Sequence, residues 1–125
     1  MNVAITGGSG FIGKILVARH IEQGDHVRLL SRKPPLKNIK AQYFLGDLSS
    51  PSANLSDFVN GVDVLYHCAG EINNESLMEG LHINGTQRLI DVAKGKVGRW
   101  VQLSSVGVYG VCRAGMITES SKEKP

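Results

Sequence analysis

Three glycines, Gly7, Gly10 and Gly13, follow one another at three-residue intervals directly after the apolar run Val3-Ala4-Ile5. Glycine at such positions removes the Cβ atoms that would keep a backbone from a bulky anion, and it admits turn conformations closed to other residues. The residues after it, Phe11 and Ile12, open a stretch with helical spacing, so their amides and that of Gly13 fall at a helix start. There, unpaired N–H groups and the positive end of the helix dipole favour negative charge. A Gly-x-x-Gly-x-x-Gly turn between a buried strand and an amphipathic helix is a cradle for the diphosphate of a dinucleotide.

Two further groups could serve the same ligand. Ser31, Arg32 and Lys33 stand where the second strand ends, the position that reads the adenosine ribose. An acidic residue there would bind the 2′-hydroxyl of NAD, whereas a hydroxyl and two cations suit a 2′-phosphate, which favours NADP over NAD. A solvated basic loop is the alternative. Asp47, in Gly46-Asp47-Leu48, is placed to accept from the adenine amino group with Leu48 packed on the ring; equally, an Asp after a Gly is a common turn residue. His67 reads as a strand-end packing residue. Neither it nor His20 has a partner at metal-ligand spacing, and Trp100 reads as core or sheet edge.

The elements that must position these residues alternate. Strands are expected at 3–5, 27–30, 42–45, 62–67 and 99–104. A first helix carries Phe11, Ile12, Ile15, Leu16 and Ile21 inward and stops at Gly24. A short helix at 54–60 is expected to be capped by Ser52 or Asn54 and stopped by Gly61. The longest helix would align Leu77, Leu81, Gly85, Leu89 and Ala93 on one row, with Gly85 allowing close approach to the sheet. Pro34-Pro35 delays any helix after the second strand. Alternation with right-handed crossovers predicts an α/β fold, a parallel sheet in the order 3-2-1-4-5 flanked by helices.

At 125 residues the chain is one domain, residues 1–125, and 42% hydrophobic against 20% charged residues is enough for a buried core. The net charge of +3 comes from scattered cations, including Lys37 and Lys40, without a basic stripe interleaved with aromatics, so nucleic acid is not an expected partner. No apolar run approaches a membrane span, and the amino end enters a strand at once, leaving no room for a leader. Cys68 and Cys112 lack metal spacing and read as reduced thiols of a cytoplasmic protein.

Five segments together resemble the amino-terminal part of the extended short-chain dehydrogenase/reductase family, the NAD(P)-dependent sugar epimerases and dehydratases, close in pattern to UDP-glucose 4-epimerases. They are TGGSGFIG at 6–13, GDL at 46–48, HCAG at 67–70, NGT at 84–86 and SSVGVYG at 104–110. The resemblance implies a Rossmann-type domain that ends after the fifth strand. Ala69 and Gly70 would line the cofactor near the diphosphate and nicotinamide ribose, and Ser104 would lie at the nicotinamide end. Ser105, four residues before Tyr109, would be the catalytic hydroxyl that assists proton movement at the sugar. His82 stands where the family often places a cofactor-binding Asn. The family's catalytic Tyr-x-x-x-Lys is expected beyond Pro125, with the substrate lobe; Tyr109 with Arg113 only imitates its spacing. The implied parent activity is hydride transfer on a nucleotide sugar, a small-molecule substrate, with the 125 residues alone inactive and a homo-oligomer allowed. Two alternatives remain at this level: a non-catalytic NADP-binding or redox-sensing module, and a fragment whose apolar surface beside the fifth strand is bare.

Overall fold

The computed structural model describes residues 1–33, 39–111 and 115–124. Pro34, Pro35, Lys37, Cys112 and Arg113, and with the last the Tyr109–Arg113 pairing, lie outside the described residues. Five strands, β1 (Asn2–Thr6), β2 (His26–Ser31), β3 (Gln42–Leu45), β4 (Val62–His67) and β5 (Val97–Gln102), form one parallel sheet ordered β3-β2-β1-β4-β5. This is the order expected from the alternation. The centre is β1, whose Val3, Ala4, Ile5 and Thr6 are all buried, because a parallel strand between two neighbours is covered on both faces.

Each face carries its own core. On one, Ala4, Leu30 and Leu65 meet Phe58 and Val59 of α2 (Ser56–Val59) and Leu89 and Ala93 of α4 (Thr86–Ala93). On the other, Val3, Ile5, Val27 and Leu29 meet Val17 of α1 (Gly13–Glu22). Full burial of Phe58, Leu65 and Leu89 contributes roughly 1.5–3 kcal/mol each. Arg28 leaves β2 toward α2 and donates from one guanidinium nitrogen to the carbonyls of Asp57, Phe58 and Asn60 at 3.2, 3.4 and 2.6 Å. It thereby satisfies the carbonyl end of a one-turn helix that has few bonds of its own.

Several expected boundaries and faces are corrected. Helix α1 begins at Gly13, so Phe11 and Ile12 precede it and are 80% and 42% exposed; Gly13, Val17 and His20 form its buried face instead. Neither Ser52 nor Asn54 caps α2. Its cap is Leu55 with no side-chain bond, while the Ser50 and Ser52 hydroxyls pair with each other at 2.9 Å. The fifth strand runs two residues earlier than expected, because Val97 pairs with Val62 and the ladder ends at the His67–Gln102 pair. The long helix is three segments: α3 (Glu75–Met78), a π-helical stretch (Glu79–Gly85), and α4. Gly85 is buried as expected, but what it approaches is the Leu48 carbonyl after β3 rather than the sheet.

Candidate functional site

Parallel strands bring all their carboxyl ends to one rim, and there the chain turns to opposite sides: β1 leads outward to β2 and β3, whereas β4 and β5 lie on its other flank. The crevice at that divergence is where open α/β sheets hold ligands. Gly7 follows β1 with φ +68°, and a Cβ there would stand 2.7 Å from the Ala69 nitrogen and the Cys68 carbonyl carbon. Gly13 sits so close beneath that a Cβ would run into the Gly7 carbonyl oxygen. Gly10 closes the turn, its amide donating to Gly7 O at 2.9 Å, and its own carbonyl accepts from Lys14 N at 3.1 Å. Among the described residues the amides of Phe11 and Ile12, just before α1, have no hydrogen-bond acceptor within the protein, as is usual for the first N–H groups at a helix start. The three glycines thus form a cradle that side chains would fill, and its chemistry fits a diphosphate.

Along the rim, Ser31 at the end of β2 turns its hydroxyl onto its own loop, donating to Lys33 O at 3.0 Å and accepting from Lys33 N at 3.2 Å. That leaves the exposed Arg32 and Lys33 as the cationic part of this group. Arg32 is near enough to Asp47 and Glu71 to help hold both carboxyls below their ordinary range. The larger cause for Asp47 is Ser49, whose amide and hydroxyl donate to Oδ1 at 2.9 and 2.7 Å; for Glu71 it is the amides of Asn73 and Asn74. Asp47 therefore forms the turn that was its alternative reading and keeps Oδ2 for another donor. Leu48 does not offer its side chain to an adenine ring: it is 4% exposed and belongs to the core on the α4 side. Its carbonyl accepts from the Arg88 guanidinium.

At the end of β4, Ala69 lies against Gly7, and Gly70 lies against the His82 ring, where a Cβ on the glycine would come within 3.2 Å of Cε1. His82, in the π-helical stretch, places Nε2 at 2.9 Å from both the amide and the carbonyl of Glu71. One tautomer accepts from the amide and the other donates to the carbonyl. His82 thus grips the 69–71 segment and has only Nδ1 for a ligand. Beyond β5, Ser104 and Ser105 are exposed on the same rim. Ser105 caps a 3₁₀ turn (Val106–Tyr109), accepting from Gly107 N at 3.1 Å, so its O–H remains available to donate.

Beneath the rim, one residue does more than its sequence reading assigned, and a second has no sequence reading. His67 was expected only to pack, yet it is 1% exposed with both ring nitrogens engaged: Nδ1 lies 2.7 Å from Thr6 Oγ1 and Nε2 2.9 Å from Thr86 Oγ1. Burial, with a smaller push from His82, lowers its pKa to about 4. The available clue is that Thr6 follows the strand expected at 3–5 and His67 ends that expected at 62–67; the structure makes them register partners. Nothing in the sequence singled out Arg88, whose Nε is buried without a partner among the described residues.

Comparison with known proteins gives one consistent answer. The NAD dependent epimerase/dehydratase family matches residues 3–125. The epimerase family protein YfhF of Bacillus subtilis (strain 168) is 33% identical over 135 residues, covering 97% of this chain and 43% of that protein. Among solved structures, a short-chain dehydrogenase/reductase superfamily protein from Agrobacterium tumefaciens with bound NAD aligns with a TM-score of 0.86 and 28% identity, covering 100% of this chain and 39% of that one. MoeE5 in complex with UDP-glucose and NAD aligns at 0.83 and 30%, covering 100% and 43%. The chain therefore spans about two-fifths of the length of these relatives. With the family match running from residue 3 to residue 125, the chain belongs to the NAD-dependent epimerase/dehydratase family.

Proposed function

We propose that residues 1–125 are the nicotinamide-dinucleotide-binding domain of an epimerase/dehydratase-like oxidoreductase that acts by hydride transfer on a nucleotide sugar. The observation that carries this reading is the cradle of Gly7, Gly10 and Gly13, whose backbone contacts leave no room for Cβ atoms at Gly7 and Gly13. Bound NAD in the Agrobacterium protein and bound NAD with UDP-glucose in MoeE5 support both halves of it. The amides of Phe11, Ile12 and Gly13 would hold the diphosphate, Asp47 Oδ2 the adenine end, and Ala69, Gly70 and Ser104 the nicotinamide half. Arg32 and Lys33 support NADP over NAD, since two exposed cations suit a 2′-phosphate.

When bound, the nicotinamide ring supplies reversible hydride exchange. Ser105 would hydrogen-bond the reacting sugar oxygen through the hydroxyl hydrogen that its own turn leaves free. No Tyr-x-x-x-Lys occurs within these residues, so the positioned acid–base pair is not supplied here. Its lack typically costs about 10²–10⁴-fold in rate, so these residues alone should bind and not turn over. A cytoplasmic setting belongs to this reading, supported by Cys68 as a free thiol. Among the described residues, no helix is long and apolar enough to cross a membrane.

Calorimetric titration with NADPH and NADH tests the proposal. The expected result is uptake of both, NADPH at least about tenfold tighter, each contact to the extra phosphate being charge-assisted. Gly13→Ala should abolish uptake and lower stability by about 1–3 kcal/mol, because its Cβ overpacks the Gly7 carbonyl. Failure of well-folded wild-type chain to take up either nucleotide would refute the proposal, and turnover of UDP- or dTDP-sugars by these residues alone would refute the inactivity.

A further inference from the structure

Beneath the glycine cradle, a hydrogen-bonded chain crosses the sheet and ends on a helix. The Ala69 amide donates to Thr6 Oγ1 at 3.2 Å; Thr6 Oγ1 and His67 Nδ1 are 2.7 Å apart; His67 Nε2 and Thr86 Oγ1 are 2.9 Å apart. Either neutral tautomer satisfies every link, Thr6 Oγ1 having lone pairs enough to accept from both Ala69 N and the ring. In one of the two orders, Thr6 accepts from Ala69 and gives its own proton to Nδ1, which leaves the neutral ring protonated at Nε2 and donating to Thr86. Thr6 precedes Gly7, Ala69 is the residue a Gly7 Cβ would strike, and Thr86 follows the π-helical stretch that carries His82. The imidazole also packs on Trp100, with ring centroids 5.5 Å apart at 58°. Nothing in the proposed chemistry uses this buried ring.

We infer that His67 is a positioning residue for cofactor binding. It fixes the gap between the β1 turn and the 68–71 segment by tying Thr6 and Ala69 to the start of α4. The inference rests on the reading of the glycine turn as a dinucleotide cradle. It explains why the segment is held from two sides, His67 acting through Thr6 and Thr86 from below, and His82 on the backbone of Glu71. Because both ring nitrogens are engaged, the cradle has one width. Packing alone would leave the Ala69 amide without an ordered acceptor.

Three variants of the 125-residue chain decide it, each followed by NADH titration, chemical denaturation and ¹⁵N spectra of the ring. His67→Phe keeps the ring and its contact with Trp100 but removes both hydrogen bonds; NADH affinity should fall about tenfold, the scale of one or two buried hydrogen bonds. His67→Gln offers an acceptor to Thr6 and a donor to Thr86 and should recover binding to within about threefold of wild type. The wild-type spectrum should show one neutral tautomer with both nitrogens hydrogen-bonded, its resonances shifting on NADH addition. Thr86→Val, which severs one link and is tolerated at a half-buried site, should weaken NADH about threefold, and it serves should His67→Phe not fold. Wild-type affinity in a folded His67→Phe or Thr86→Val variant would overturn the inference, as would Gln behaving no better than Phe. A wild-type chain that takes up no NADH would fail the functional reading itself, a different outcome from variants that match a binding wild type.

Discussion

His67 makes stability depend on pH in a direction that can be worked out. Its pKa falls from the ordinary 6.5 to about 4, chiefly through burial, with His82 as the ionisable neighbour that adds to the effect. Between those values the unfolded chain binds a proton that the folded chain refuses, so stability rises with pH across that window. It should be complete above pH 6.5 and should drain away as the solution is acidified toward pH 4. Urea midpoints taken from pH 7.5 to 4 should show that decline, and in His67→Phe most of it should vanish; a parallel decline in both proteins would refute the assignment. The depressed carboxyls of Asp25, Asp47 and Glu71 act lower, their stabilisation being lost as pH falls below the ordinary carboxylate range. At this scale the glycine cradle was legible in the sequence, because the lack of a Cβ belongs to the residue itself and its spacing is local. The His67 network was not legible, since its three partners lie 61 residues upstream in Thr6, 19 downstream in Thr86, and across the sheet in Trp100. The burial of Leu48 was not legible for the same reason: whether its side chain meets a ligand or the core depends on which way the loop after β3 folds under α4.

Among the elements, the segment from Glu75 to Ala93 differs most from its sequence reading. A four-residue row through Leu77, Leu81, Gly85, Leu89 and Ala93 assumes one continuous α-helical phase. The π-helical stretch widens the turn and breaks that phase, so Leu89 is fully buried while Leu77 is 50% exposed. The reward is local: His82 reaches Glu71, and Gly85 brings the helix onto the Leu48 backbone. Gly85→Ala sets two effects against each other. Alanine gains up to about 1 kcal/mol in helix propensity, yet its Cβ would stand 2.8 Å from Leu48 O and 3.1 Å from Leu48 C, backbone atoms that cannot swing aside. Overpacking of that kind costs about 1–3 kcal/mol, so the clash should win and leave a net loss of about 1–2 kcal/mol in denaturant unfolding. Because Leu48 adjoins Asp47, dinucleotide affinity should also fall. A variant as stable as wild type would show that the loop yields, and the close approach would then hold nothing in place. Strand order was readable here because alternation and handedness leave few topologies, whereas the start of β5 was set by its pairing with Val62 and only the structure displays it.

Taken whole, the molecule is covered unequally. The face bearing Ala4, Leu30 and Leu65 is closed by α2 and α4 from β2 across to Trp100 of β5. The opposite face has, among the described residues, α1 alone, packed over β1 and β2. Register continues that face from Ile5 through Tyr66 to Val101, which is 36% exposed, and Leu103 two residues on is 43% exposed. Among the described residues, the outer edge of β5 has no strand beside it in the sheet. An apolar strip next to an open edge favours pairing with another polypeptide, either a second copy or a complementary segment. For these residues alone, the partner available in solution is a second copy. Sedimentation should therefore show association growing from micromolar to hundreds of micromolar, and Val101→Lys should suppress it, because a charge on an edge strand blocks edge-to-edge pairing. The substitution lies away from both cores, so stability should change by no more than about 0.5 kcal/mol. Association unchanged by Val101→Lys would move the contact elsewhere, and a monomer at every concentration would mean that the strip is too small to drive pairing. NADPH titrated into Val101→Lys should bind as it does to wild type, since the strip lies on β5 and the cradle at the end of β1; this separates the surface that carries the ligand from the surface that seeks a partner.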